Sequence, residues 1–229
     1  RFALLTGVTK FGKVSVFSDL NNLQDLSMDE EYQALCGVTQ DELETIFAEP
    51  IKQLATKYKL SVEEALCRLK ERYDGYHFVE NGIGIYNPFS LLNTFKRLQF
   101  GSYWFETGTP TYLVELLKQD NYRLPNLTKE VSTADVLNCI DTASNNPIPV
   151  LYQSGYLTIK SFDEEFGEYR LGFPNKEVEE GFTRFLLPYY TGLRNPETPF
   201  SMGEFVRDLR SGRPEDFMQR MATLFADTD

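Results

Sequence analysis

The sequence is short of the residues on which several classes of active site depend. Its 229 residues include one histidine, one tryptophan and three cysteines. The cysteines (Cys36, Cys67 and Cys139) are odd in number and widely separated, so we expect buried, reduced thiols and no disulfide framework. With one histidine there is no Cys/His cluster at metal-ligand spacing, and no Ser-His-Asp set can be argued. The sequence therefore predicts no metal site and no catalytic residues of its own.

Positive charge and long apolar runs are also scarce. The chain has 23 Lys and Arg residues against 34 Asp and Glu residues, a formal net charge of −11. A negative field opposes binding to DNA, RNA or an anionic membrane. No apolar run approaches the roughly 20 residues that a membrane-spanning helix needs, and no signal peptide is recognisable. We therefore expect a cytoplasmic protein without a membrane segment.

Helix-start signals dominate what the sequence does contain. Capping boxes at Ser27, Thr39 and Ser61 each have a Glu three residues later, and they predict helices to about Gly37, Tyr58 and Tyr73. Further starts are predicted at Asn87-Pro88, near Ala134, at Asn146-Pro147, at Asn175, at Ser201 and at Pro214. Extended segments are few. The pattern predicts a mainly α fold with small β elements.

The extended segments fall at the start of the chain and after its middle. Phe2 to Thr6 is an apolar run ended by Gly7, which predicts a buried strand. Because Arg1 is not an initiator Met, we expect the chain to begin inside a larger fold. Residues 156–162 and 169–173 alternate around a turn and predict a hairpin. Helix, hairpin and helix together are the layout of a winged-helix domain.

Two motifs suggest chemistry but have simpler interpretations. Gly7 to Lys13 matches the phosphate-loop pattern GxxxxGK, but Val14 replaces the magnesium-binding hydroxyl and a β-type segment replaces the helix. His77, in an aromatic segment, is better explained as a packed, hydrogen-bonded residue, with general-base work as the open alternative.

Adjacent acids such as Glu63/Glu64 diverge on a helix and are typical of solvated faces. In the hairpin, four acids against two bases argue against DNA binding.

Several long motifs together resemble a known family. They are FALLTGVTKFGKVSVFSDLNNL, YDGYHF with YNPFSLLN, YWFETGTPTYLVELL, PVLYQSGYLTI and LGFPNKEV. The chain resembles, from Arg1 to about Pro188, the predicted AAA-ATPase-like family found in Bacteroidetes and related anaerobes. The resemblance implies a phosphate-loop ATPase core, a helical lid, a winged-helix-like part and often a C-terminal PD-(D/E)XK nuclease domain. This chain matches the middle of that arrangement.

The resemblance also implies nucleotide-contacting residues. Leu4 to Gly7 resembles the sensor-1 strand, which makes Thr6, Thr9 and Lys10 candidates near a γ-phosphate. Gly108-Thr109-Pro110 resembles the GxP motif at the start of a lid helix. The physical chemistry agrees, since Thr109 can cap a helix that Pro110 begins, and free amides at a helix N-terminus suit an anion. An ordinary capped helix start remains the alternative.

The resemblance divides the chain into four parts. Residues 1–26 would be the edge of a phosphate-loop ATPase core, 27–131 a helical lid, 132–190 a winged-helix-like domain, and 191–229 a linker with C-terminal helices. The partners would be the missing ATPase core and the nuclease-like domain. ATP and Mg would bind the full-length parent, whereas no cofactor is expected for this fragment alone. The alternative is a non-enzymatic protein-interaction module.

Overall fold

The computed structural model describes residues 6–7, 24–104, 117, 130–138, 146–191, 207–208 and 211–226, without the side chains of 186–191 and 223–226. The chain divides into two compact units, 1–179 and 180–229. The elements of the first unit, in chain order, are α1 (Gln40–Ile46), α2 (Ala48–Tyr58), α3 (Val62–Tyr73), α4 (Pro88–Arg97), β1 (Val131–Ser132), α5 (Ala134–Leu137), α6 (Ile148–Gln153), β2 (Thr158–Asp163), β3 (Glu168–Gly172) and the start of α7 (Lys176–Thr191). The second unit contains α8 (Pro214–Ala226). The predicted fold class, mainly α with small β elements, is confirmed.

The predicted capping boxes at Thr39 and Ser61 are confirmed. Each hydroxyl accepts the amide of the Glu three residues later, and that Glu reaches back to the cap amide. At the start of α4 the side chain of Asn87 accepts the amide of Ser90, and Pro88 occupies the first turn. These starts depend only on contacts within one turn, so the sequence predicts them well.

The helix predicted from Thr39 to Tyr58 is two helices. Phe47 interrupts it, with φ −105° and ψ 18°. Pro50 explains the break, because a proline has no amide to donate to the carbonyl four residues earlier, at Ile46, and its ring collides with that carbonyl. Pro50 instead occupies the first turn of α2, where no intrahelical donor is required.

The prediction of a helix from Ser27 to Gly37 was wrong. Only a 3-10 turn forms there, over Glu30–Tyr32, and Asp29 caps it by accepting the amide of Glu31. Both the amide and the hydroxyl of Ser27 donate to Asp25 Oδ1, at 3.1 and 2.7 Å. This local Asx turn uses the Ser27 amide, to which Glu30 would have to reach back in a capping box.

The helical part of the first unit has one apolar core. Its buried members come from α1 to α4 and the segment before α4: Leu43, Ile51, Leu54, Ala55, Ala65, Leu69, Tyr73, Tyr86 and Leu91. On α3, Ala65, Leu69 and Tyr73 follow a spacing of four and share one face. Cys67 lies off that face and is exposed, as is Cys36. The prediction of buried thiols was therefore wrong for these two residues, whereas Cys139 lies outside the described residues.

The predicted helix and hairpin are confirmed and gain a third strand. The antiparallel sheet has the order β1-β3-β2, with Val131 opposite Arg170 and Ile159 opposite Leu171. Before the hairpin, α6 ends at Gln153, and Gly155 follows with a φ of +79°, which suits glycine. After it, the side chain of Asn175 accepts the amide of Val178 and caps α7. The helix predicted near Ala134 is short, since α5 ends at Leu137.

The second unit is described around α8. Asp208 is buried and accepts Arg213 Nη2 at 3.1 Å and Arg220 Nε at 2.6 Å. A buried carboxylate paired with two arginines holds the segment before α8 against that helix. The predicted start at Pro214 is confirmed, whereas the start predicted at Ser201 lies outside the described residues.

Candidate functional site

Most of the predicted nucleotide-contacting residues fall outside the part of the chain that the structure describes. Thr9, Lys10, Gly108, Thr109 and Pro110 lie outside the described residues. Thr6 is described; it is exposed and belongs to no strand. In the sequence, Trp104 is the described residue nearest to the predicted lid turn. The candidate site is therefore built from the residues around Trp104.

A buried carboxylate holds the chain at Trp104. Glu177, in the first turn of α7, has no exposed surface. Its Oε1 accepts the backbone amide of Trp104 at 2.9 Å, and its Oε2 accepts the hydroxyl of Ser90, itself fully buried, at 2.7 Å. Charge-assisted bonds of this length are strong where water is excluded. One side chain of α7 therefore fixes both the first turn of α4 and the backbone at Trp104.

Aromatic side chains surround this carboxylate. The rings of Trp104 and Tyr156 meet edge to face, with centroids 5.3 Å apart. Gly155 lies below them, and a Cβ there would contact the rings of Tyr76 and Trp104 at 3.5 and 3.6 Å. Burial raises the pKa of the Tyr76 phenol, and the nearby Glu177 carboxylate raises it further. The Glu177 carboxylate is thus shielded from water, and the aromatic side chains near it are closely packed.

The segment after α3 joins the helical part to the hairpin. Gly75 has a φ of +101°, and a Cβ there would lie 2.3 Å from the carbonyl oxygen of Pro174. Only glycine permits that close approach of two backbones. Next in the chain, Tyr76 and Ile85 form an antiparallel bridge, and the amide of His77 donates to Thr158 Oγ1 at 2.7 Å. The motif YDGYHF is therefore a connector between α3 and β2.

Tyr73 fixes the end of the same connector. Its hydroxyl accepts Thr94 Oγ1 at 2.9 Å and the amide of Gly101 at 3.0 Å, and it donates to the carbonyl of Gly101 at 2.9 Å. Burial raises the pKa of this phenol, so it stays a neutral donor and acceptor. The loop after α4 is thereby tied to α3.

His77 has the features of a packed residue. Burial lowers the pKa of its imidazole, Lys160 lowers it further, and Asp74 opposes them. The hydroxyl of Thr158 donates back to the His77 carbonyl at 2.9 Å, so the backbone of this residue is well bonded. Its Nδ1 is buried without a hydrogen bond to the described residues. His77 also does not line the pocket that Lys160, Arg170 and Glu179 form with residues 171–173. These observations favour a structural His77 over a general base.

The sequence did not predict the role of Glu177. An acid near the start of a helix is typical of a solvated face, as the exposed Glu179 in the same turn illustrates. The available signal was its place in LGFPNKEV, since Ser90 and Trp104 lie in two of the other motifs. Among the described residues, no group of three or more His, Cys, Asp or Glu side chains could hold a metal ion. No described helix is long and apolar enough to cross a membrane.

The chain is similar to a protein of Azotobacter chroococcum mcd 1 whose gene lies in the 5′ region of vnfD and which is described as uncharacterized. The two are 38% identical over 192 residues, which is 83% of this chain and 35% of that protein. The chain thus spans about a third of the length of this relative. No family model matches the chain, and no solved structure matches it.

Proposed function

We propose that this chain is the lid and winged-helix part of a larger ATP-dependent switch protein of the AAA or STAND type. In this proposal the nucleotide binds a core that lies outside the chain, and Thr6, Thr9, Lys10 and the Gly108-Thr109-Pro110 turn contact it. The chain is not catalytic alone. It passes the nucleotide state from the lid turn to a C-terminal nuclease-like domain.

The observation that carries the proposal is the bond between Glu177 and the amide of Trp104. In the sequence, Trp104 lies just before the predicted lid turn at Gly108, and Glu177 lies in the first turn of α7. A displacement of the lid turn would therefore pull on α7 through a buried, charge-assisted bond. The strand order β1-β3-β2, with two short helices between β1 and β2, supports assigning the hairpin part as a winged helix. The size of the Azotobacter relative is compatible with additional domains.

The test uses a full-length protein that contains this chain. Gly108→Ala and Pro110→Ala are expected to raise the KM for ATP or to change turnover, because they alter the helix start that faces the nucleotide. Glu177→Gln is expected to leave ATP binding intact but to uncouple it from the activity of the C-terminal domain. Glu63→Gln, which changes an exposed acid in the first turn of α3, is the matched control. Unchanged ATP kinetics in both turn variants would refute the proposal.

A second candidate is a protein-interaction module without nucleotide chemistry. Phe89 and Leu92, at i and i+3 on α4, are 45% and 53% exposed, so their side chains form an apolar surface on one face. A full-length protein that binds no ATP, and whose association state changes with the double substitution Phe89→Ser and Leu92→Ser, would favour this candidate.

A further inference from the structure

A pocket of about 240 Å³ lies beside the hairpin of the first unit. It is lined by the base of the hairpin and the first turn of α7: Lys160, Arg170, Leu171, Gly172, Phe173 and Glu179. Ligand pockets for drug-sized molecules have about 300–1,000 Å³. This pocket is smaller, so its size suits a small group and not a nucleotide.

A β-bulge brings the two basic side chains of the hairpin together. Ile159 pairs with Leu171 and Ser161 with Arg170, so Lys160 is the extra residue of β2 at that point. A bulge sets two residues of one strand opposite one residue of its partner and redirects a side chain. Lys160 and Arg170 consequently line the same pocket. The hairpin acids, Asp163, Glu164, Glu165 and Glu168, do not line it.

The Lys160 side chain is held by packing and by a backbone carbonyl, and the carboxylates of Asp74 and Glu179 act on its ammonium group at longer range. Its stem lies against Gly172, where a Cβ would come within 3.1 Å of Lys160 Cγ, so glycine leaves room for it. Its Nζ donates to the carbonyl of Pro174 at 3.3 Å and makes no ion pair with a described residue. Crowding by the surrounding protein lowers the pKa of the ammonium group, although the side chain keeps exposed surface.

Arg170 has no side-chain hydrogen bond or ion pair among the described residues, and it is exposed on β3. The lining therefore carries two cations and one carboxylate, Glu179, a formal charge of 2 − 1 = +1. This local sign is opposite to the net charge of −11 on the chain. A guanidinium presents a planar fork of donors that fits an oxyanion, and an ammonium adds a point charge.

We propose that the pocket between the hairpin and the first turn of α7 binds a singly charged oxyanion, a carboxylate or a monoanionic phosphate. Lys160 and Arg170 bind its oxygens, and Glu179 limits the charge that the pocket accepts. A nucleic acid is disfavoured, because the acidic hairpin tip would repel its phosphates. The ligand source is a small molecule or an acidic side chain of another segment, both presenting the same group.

The experiment titrates the 229-residue chain with sodium acetate and, separately, with sodium phosphate below the second pKa of phosphate. Amide chemical shifts of Leu171, Gly172 and Phe173 are followed, with sodium chloride at matched ionic strength as the reference. Saturable shifts with acetate alone assign a carboxylate, and with phosphate alone a phosphate. Saturation with both assigns the shared oxyanion chemistry. No saturable shift, or the same shift with chloride, overturns the proposal.

Variants test whether the two cations are responsible. The double substitution Lys160→Met and Arg170→Met is expected to weaken binding by about tenfold or more. Lys57→Met with Lys96→Met removes the same charge from exposed helix positions and is expected to leave binding unchanged. Glu179→Gln raises the lining charge to +2 and is expected to tighten binding roughly threefold. Weaker or equal binding by Glu179→Gln would overturn the proposal even if the Met variant fails to fold.

Discussion

Removing the Glu177 carboxylate should destabilise the first unit far more than removing its exposed neighbour. Glu177→Ala leaves the buried hydroxyl of Ser90 and the amide of Trp104 without their acceptor. A hydrogen bond to a charged group contributes about 1.5–3 kcal/mol, and an unsatisfied buried donor carries a cost of about 1–3 kcal/mol. Relief of the desolvation of the carboxylate offsets part of this loss. We expect a net decrease of about 3–5 kcal/mol in the free energy of unfolding.

Urea unfolding followed by Trp104 fluorescence is the direct assay. Trp104 is the single tryptophan, and it donates the bond in question, so the signal reports on this unit. With an m-value of about 3 kcal/mol/M, the midpoint should fall by roughly 1–1.7 M. Glu179→Ala is the matched control: it too lies in the first turn of α7 but is exposed, and it should change the stability by about 0.5 kcal/mol or less. Equal midpoints for the two variants would refute the role of Glu177.

Three further predictions concern the connector. Gly75→Ala should destabilise the protein by about 1–3 kcal/mol, because the φ of Gly75 is +101° and the Pro174 carbonyl occupies the position of a Cβ. Gly167→Ala is the control: its φ is +66°, a Cβ there meets open space, and it should cost about 1 kcal/mol. Thermal melts of the two variants should show this difference. Tyr73→Phe should cost about 1–2 kcal/mol in urea unfolding through its lost hydroxyl, and a neutral result would contradict that hydrogen-bond network. The pKa of the folded His77 imidazole lies below its usual value of about 6.5, so unfolding takes up a proton and stability falls as the pH drops below 6.5 toward the folded pKa. His77→Gln should flatten that part of the pH profile of the melting temperature, and an unchanged profile would argue against this shift.

The contrast between Thr39 and Ser27 shows where prediction from sequence succeeds. Both begin the same four-residue capping pattern, and in the Thr39 box the cap amide donates to Glu42. Ser27 bonds Asp25 instead, and its helix does not form. The break at Phe47 is likewise a local effect, because Pro50 has no amide to donate to the preceding turn.

The candidate site was less predictable, because its contacts join residues far apart in the chain. Glu177 meets Ser90 across 87 positions and Trp104 across 73. No periodicity relates such positions, and an acid in the first turn of a helix normally indicates only a favourable dipole. The nucleotide-contacting role of Thr6, Thr9, Lys10, Gly108, Thr109 and Pro110 stays a prediction that rests on resemblance.

The sequence by itself determined the helical class, the capped starts of α1, α3 and α4, and the hairpin. Local hydrogen bonds and side-chain periodicity decide these features, and both are written within a few consecutive residues. Only the tertiary structure decided that Glu177 is a buried anchor, that Gly75 accommodates the Pro174 carbonyl, and that a bulge brings Lys160 next to Arg170. The physical reason is that burial and partnership depend on which distant segments pack together, and packing is a property of the whole fold.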